Sequence, residues 1–202
     1  MKFTLQQIRD VLAKKEYQYL DDDRAVNIIG IRSTNEIANS FDDWLYLIYK
    51  DENQNTEVHE FPITTDPGAY WLKNPSNING TAILVPGQYK DAYRIGLHRG
   101  KYEALKQHKP VKVWRDNTRD TILDKEGKVY EGIFGINIHR SNARTESSIV
   151  EKWSAGCQVF KRVSDFSFLM LICKRSGYKN FTYTLLEETD FTDNNVNDFK
   201  NR

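Results

Sequence analysis

Gly135-Ile136-Asn137-Ile138-His139-Arg140-Ser141-Asn142 and, after a polar segment, Trp153-Ser154-Ala155-Gly156-Cys157-Gln158-Val159-Phe160 are the two stretches on which the reading of this chain turns. The first is an alternating apolar segment that ends on a histidine, and the second is a turn of small residues that ends on a cysteine. A thiol is a strong nucleophile only as its thiolate, and a nearby imidazole is the commonest means of ionising it near neutral pH. The histidine comes first, the reverse of the order in papain-like proteases. A catalytic pair of His139 and Cys157 therefore implies a different scaffold. Ser154, Ala155 and Gly156 are small enough to let a substrate carbonyl approach the backbone, where the amides of Gly156 and Cys157 are placed to stabilise an oxyanion.

Outward from this pair the chain reads as short β segments. Val26–Ile31, Trp44–Tyr49, Val58–Ile63, Thr81–Leu84, Ala92–Leu97, Val111–Trp114, Val129–Tyr130, Ile136–His139 and Phe181–Leu186 are rich in β-branched and aromatic residues. Residues 51–55 read as a hairpin turn, as do Lys125-Glu126-Gly127-Lys128. Two helices flank them. Over residues 4–16, Thr4 and Gln7 fit a capping box ahead of the stripe Leu5, Ile8, Val11 and Leu12. Over Ser164–Lys174, Ser164 is the expected N-cap and Phe166, Met170 and Cys173 form a core stripe. The pattern predicts a mostly β domain, a β-sandwich or partly open barrel, with an N-terminal helix and one helix after the cysteine motif. Its expected divisions are a helical appendage (1–25), a main domain (26–186) and an acidic, mobile tail (187–202).

Composition limits the function classes. The 202 residues are 39% hydrophobic and 28% charged with a net charge of +1, so one core is affordable and no global field selects a polyanion. No apolar run reaches membrane-spanning length, so no membrane insertion is expected. The N-terminus leads into an amphipathic stretch and lacks the apolar core of a signal peptide, which predicts synthesis in the cytoplasm. Two cysteines, Cys157 and Cys173, are too few for a disulfide scaffold and read as free thiols. His59, His98, His108 and His139 are scattered, with no HExxH and no CxxC, so neither metal nor cofactor is expected. The basic residues between Arg94 and Arg119 face only Glu103 and Asp116, but no nucleic-acid-binding signature accompanies them and no nucleic-acid partner is expected.

The histidine, a spacer of about fourteen residues, Ser154, Gly156 and Cys157 together resemble the signature of the L,D-transpeptidase catalytic domain. Phe61-Pro62-Ile63-Thr64-Thr65 and Pro67-Gly68-Ala69-Tyr70 are similar to that family's strand and Thr-Pro-x-Gly-x-aromatic turn, and the likeness runs over roughly residues 26–186. Ala155 stands where the family has histidine, and Val159 where it has asparagine or arginine. The resemblance implies a peptidoglycan stem peptide as substrate, Cys157 as nucleophile through a thioester, and His139 as general base, with Ser154 and Gly156 shaping the turn. An amine acceptor gives cross-linking; water gives carboxypeptidase or endopeptidase activity. A peptidoglycan-active chain without a secretion signal fits a bacteriophage protein that reaches the wall by lysis or within a virion. The alternatives are a non-catalytic structural or wall-binding module that keeps the fold, and a hydrolase of another amide or ester using the same pair.

Five residues complete the expected substrate face. Arg140 is placed to pair with a substrate carboxylate, and Asn142 follows it. Trp153 adjoins the motif as an aromatic wall, with Tyr70 assigned beside it. His98 lies in Gly96-Leu97-His98-Arg99, a local echo of Asn137-Ile138-His139-Arg140. It is either a strand cap or a substrate contact in the same cleft.

Overall fold

The computed structural model describes residues 1–195 and forms eleven strands: β1 (Val26–Arg32), β2 (Asp43–Lys50), β3 (Thr56–Thr64), β4 (Thr81–Leu84), β5 (Gly87–His98), β6 (Tyr102–Gln107), β7 (Val111–Asp116), β8 (Tyr130–Gly132), β9 (Ile138–Arg140), β10 (Gln158–Phe160) and β11 (Phe181–Glu187). Eight close into a barrel in the order β1-β11-β5-β6-β9-β10-β3-β2, and β4-β7-β8 form a separate three-stranded sheet. The fold is thus mostly β. The barrel is closed, with the remaining strands beside it, where a sandwich or partly open barrel was expected. Closure leaves no free sheet edge in the main sheet. Two contacts are parallel, β1 with β11 and β9 with β10; the second sets the site.

Strand β1 is buried at every residue because both of its faces are covered. Val26 and Ile28 join the barrel core, whereas Ile29 and Ile31 pack outward with Ile8, Val11 and Leu12 of α1 (Leu5–Lys14). Full burial of each of those three helix side chains stabilises by about 1.5–3 kcal/mol. The capping box forms: Gln7 N donates to Thr4 Oγ1 (3.2 Å) and Thr4 N to Gln7 Oε1 (2.9 Å). The N-terminal helix is therefore an outer layer of the barrel.

After the cysteine motif comes α3 (Val163–Ser176), whose Phe166, Met170 and Cys173 are buried as expected. Its N-cap is Arg162, without a side-chain bond; Ser164 lies inside the first turn and its hydroxyl bonds Asp165 instead. A short helix, α2 (Ala69–Lys73), follows the Pro67-Gly68 turn. The expected tail begins inside β11, and Phe191 is buried in a stack on Phe3 with ring centroids 4.0 Å apart. As far as Phe191 the chain is therefore packed; residues 196–202 of the expected tail lie outside the described residues. No helix among the described residues is long and apolar enough to cross a membrane.

A buried ionic group sits at the end of the barrel near the cysteine turn. Arg32, 1% exposed, contacts Asp66 Oδ1 (2.9 Å) and donates to Thr65 Oγ1 (3.0 Å) and Thr65 O (3.2 Å). Asp43 accepts from the amides of Thr65 (2.6 Å) and Ser33 (2.7 Å). Burial, then the neighbouring Asp66, push the Asp43 carboxyl up to about 7; burial likewise raises Asp66.

Candidate active site

The parallel pairing of β9 with β10 matches Ile138 to Gln158 and His139 to Val159. Cys157 immediately precedes β10, so it lies level with Asn137 and two steps from His139. Strand spacing and rise put the Cα atoms of such a diagonal pair on the order of 8 Å apart. The two residues that are far apart in the chain are thus brought to one corner of the barrel.

The turn before Cys157 is built from its small residues. Gly156 has φ +113°, and a Cβ there would meet the carbonyl oxygen of Ala82 at 2.3 Å, so only glycine fits. Ser154 is fully buried; its Oγ donates to Cys157 O (2.8 Å) and accepts from Gly156 N (3.1 Å). Gly68 N donates to Ser154 O (2.9 Å), and a Cβ on Gly68 would strike the Glu151 backbone at 2.0 Å. The Pro67-Gly68 turn therefore buttresses the cysteine turn. From inside the barrel, Gln158 Nε2 donates to Gly156 O (3.3 Å) and Thr65 O (3.4 Å), while Gln158 Oε1 accepts from Tyr183 Oη (2.8 Å). Of the two amides expected to face an oxyanion, that of Gly156 is committed to Ser154, which leaves that of Cys157.

His139 is 3% exposed. Its Nδ1 lies 2.8 Å from the Arg140 carbonyl oxygen, which only accepts, so Nδ1 carries the proton and Nε2 the lone pair. Tyr102 Oη also donates to that carbonyl (3.3 Å). His98 stacks on His139 with centroids 4.1 Å apart and planes 26° apart. The Gln107 amide donates to Asn137 Oδ1 (2.9 Å), which fixes the Asn137 side chain. Its Nδ2 must then donate to His98 Nδ1 (3.2 Å), leaving the His98 proton on Nε2. The stacked imidazoles hold opposite tautomers. Burial first, then charge, lowers both: His139 to about 3, helped by His98, Arg99 and Arg140, and His98 to about 4, helped by Arg99, Lys106 and Arg140. Both rings are neutral at neutral pH.

Cys157 is a free, half-buried thiol. Its Sγ donates to Gly135 O (3.4 Å) and accepts from Asn137 N (3.4 Å); it makes no hydrogen bond to His139. Burial raises it above the usual thiol range, opposed by the Asn137 amide and by Arg99. The resting group is therefore a thiol, not the preformed thiolate that a contacting imidazole would create. Cys173 is also free and buried in the core.

Beside the imidazoles is a cleft of about 420 Å³ lined by His98, Arg99, Tyr102, His139, Arg140 and Trp153 among others, with Asn142 at its wall. Cys157 is not part of that lining. The Arg140 guanidinium lies over Tyr102, 4.1 Å from the ring centroid. Tyr70 is one layer removed: Lys152 Nζ sits over its ring at 4.2 Å and itself faces the cleft. Asn142 Oδ1 accepts from Arg144 N (2.9 Å), which shapes the loop. Asn137, Gln107 and Tyr102 belong to the site without having been given a role from the sequence, and Arg99 was read only as one of the basic residues between Arg94 and Arg119. The echo between the His98 and His139 segments was the available signal, since it marks both imidazoles as strand-borne. Among the described residues no group of three His, Cys, Asp or Glu side chains is gathered to hold a metal. Comparison of the chain with protein-family models, with curated proteins and with solved structures found no match.

Proposed function

We propose that this chain is a cysteine-dependent acyl-transfer enzyme of the L,D-transpeptidase type, acting on peptidoglycan stem peptides. The observation that carries the proposal is the 2.8 Å contact between His139 Nδ1 and the Arg140 carbonyl oxygen, which assigns the ring proton to Nδ1. The Nε2 lone pair is then the base. The reaction begins when a bound substrate draws Sγ away from Gly135 O toward that nitrogen. His139 takes the thiol proton as Sγ attacks the amide carbonyl, and the tetrahedral oxyanion is met by the Cys157 amide. His139 returns the proton to the leaving amine as the C–N bond breaks, giving a thioester. An amine or water, deprotonated by His139, then attacks the thioester and releases the thiol. Burial keeps His139 neutral at neutral pH and a weak base at rest, so the proton moves only as the negative charge of the thiolate and oxyanion develops beside it; the Arg140 guanidinium over Tyr102 suits a substrate carboxylate. Incubation with purified sacculi tests the proposal. Released or newly joined muropeptides, read by mass spectrometry, are expected with the unaltered protein and absent with Cys157→Ala.

A second reading, a wall-binding module that keeps the fold without turnover, draws on one observation. The sulfur is held by Gly135 and Asn137, not by His139. Sacculus binding without any change in the muropeptides would favour it.

A further inference from the structure

Cations flank the imidazole pair on both sides. In the β5–β6 hairpin, Arg94 stands directly opposite Lys106, Gly96 opposite Ala104, and His98 opposite Tyr102. These three pairs share one face of the hairpin. Like charges directly opposite each other destabilise a sheet unless something screens them. Among the described residues neither Arg94 nor Lys106 has an acidic partner, and the two acids of that hairpin are engaged elsewhere, Glu103 by Lys174 (2.5 Å) and Asp91 by Lys109 (3.5 Å). Beyond His98 the hairpin tip carries Arg99 and Lys101, and across the cleft stand Arg140 and Lys152, resting on aromatic rings and not on carboxylates. Among the described residues no acidic side chain lines the cleft. In a chain of net charge +1 this is a local concentration, not a general surplus.

The geometry points to a two-sided anion clamp that selects an acyl substrate with free carboxylates on both sides of the reacting amide. Arg94 and His98 are separated by about 13 Å along an extended strand, roughly the span of a few peptide residues. One cationic group lies before the base and the other beyond it. A peptide laid along the hairpin with its amide at His139 presents acidic groups to both. Arginine suits the planar carboxylate, and the Arg140 guanidinium lies over the Tyr102 ring, 4.1 Å from its centroid. The proposal rests on the acyl-transfer reading for the bond that reacts, but its binding claim stands on the charges alone. It predicts discrimination between stem peptides with free carboxyl groups and those whose carboxyl groups are amidated.

The test is equilibrium titration of the Cys157→Ala protein with a synthetic tetrapeptide stem, as the free acid and with every carboxyl amidated. The free acid is expected to bind about tenfold more tightly or better at low salt, with the advantage shrinking as salt rises. Arg94→Ala with Lys106→Ala is expected to remove several-fold of that advantage without lowering Tm, because it also relieves the like-charge pair. Equal binding of the two peptides overturns the clamp, as does a preference untouched by both that variant and Arg99→Ala with Arg140→Ala. Inorganic polyphosphate binding in place of the free acid overturns it too. Free acid bound by Cys157→Ala yet left unchanged by the unaltered protein upholds the clamp and removes the acyl-transfer reading. Turnover indifferent to amidation does the reverse.

Discussion

His98 and His139 stack face to face, 4.1 Å between ring centroids, with Asn137 and the Arg140 carbonyl assigning their protons to opposite nitrogens. Two imidazolium rings so close would repel, and burial already disfavours either charge. The pair is therefore built to stay neutral, with the His139 Nε2 lone pair unprotonated at neutral pH.

Long-range proton–nitrogen NMR spectra check this directly. At pH 6, where a free histidine is largely protonated, both rings are expected to be neutral, with His139 as the Nδ1–H form and His98 as the Nε2–H form. Midpoints near the ordinary histidine value of about 6.5 would contradict the arrangement.

Stability should carry the same signature. His139 has its folded pKa lowered to about 3, so only the unfolded chain binds a proton as pH falls from about 6.5. The His139 contribution is fully present above that value and is lost on acidification, with a slope of up to about 1.4 kcal/mol per pH unit. Asp43, raised to about 7, acts with the opposite sign, because its folded form takes up the proton first and so favours folding as pH falls. Comparing denaturant unfolding of the unaltered protein with His139→Gln between pH 7 and pH 4 cancels the Asp43 effect. The variant is expected to lose less stability on acidification; a parallel pair of curves would sink this prediction.

The cysteine should be slow to alkylate. Burial raises the Cys157 thiol, and Arg99 opposes that rise. The iodoacetamide midpoint, mapped by peptide mass spectrometry, is expected above that of a free cysteine, and Arg99→Ala is expected to move it higher still. A midpoint well below the free-thiol value would show a preformed thiolate.

Ser154 and Gly156 brace the turn that carries Cys157. Ser154→Ala removes the bonds to Cys157 O and Gly156 N and should cost about 1–3 kcal/mol. Gly156→Ala adds a Cβ 2.3 Å from a backbone oxygen at positive φ and is expected to destabilise more than Ser154→Ala. Thermal unfolding ranks the two, and the reverse order would contradict the turn geometry.

The strands that were readable are those whose side chains carry β preference themselves. Thr81–Leu84 is found to the residue, and the capping box of α1 is visible in Thr4 and Gln7 alone. Strand β6 was not foreseen, because Glu103, Ala104, Leu105 and Lys106 favour helix locally and are strand only through pairing with β5. That omission hid Tyr102. Strand β10 is three residues long and carries no period of its own. The His139–Cys157 neighbourhood was legible as a motif, but the Asn137 bridge depends on β5, β6 and β9 meeting, which no local pattern encodes. Arg32 reads as an ordinary strand-end charge and is in fact buried against the Asp66 carboxylate. Arg32→Met, which leaves that carboxylate without its ion-pair partner, should destabilise by about 3–5 kcal/mol in denaturant unfolding.

The most direct measurement is the intact mass of the protein after brief incubation with a free-acid stem peptide and an acid quench. A covalent acyl adduct on Cys157, lost on hydroxylamine treatment, is predicted for the unaltered protein and absent from His139→Ala and Cys157→Ala. An unaltered mass alongside a folded, peptide-binding protein would contradict the nucleophile and base assigned here.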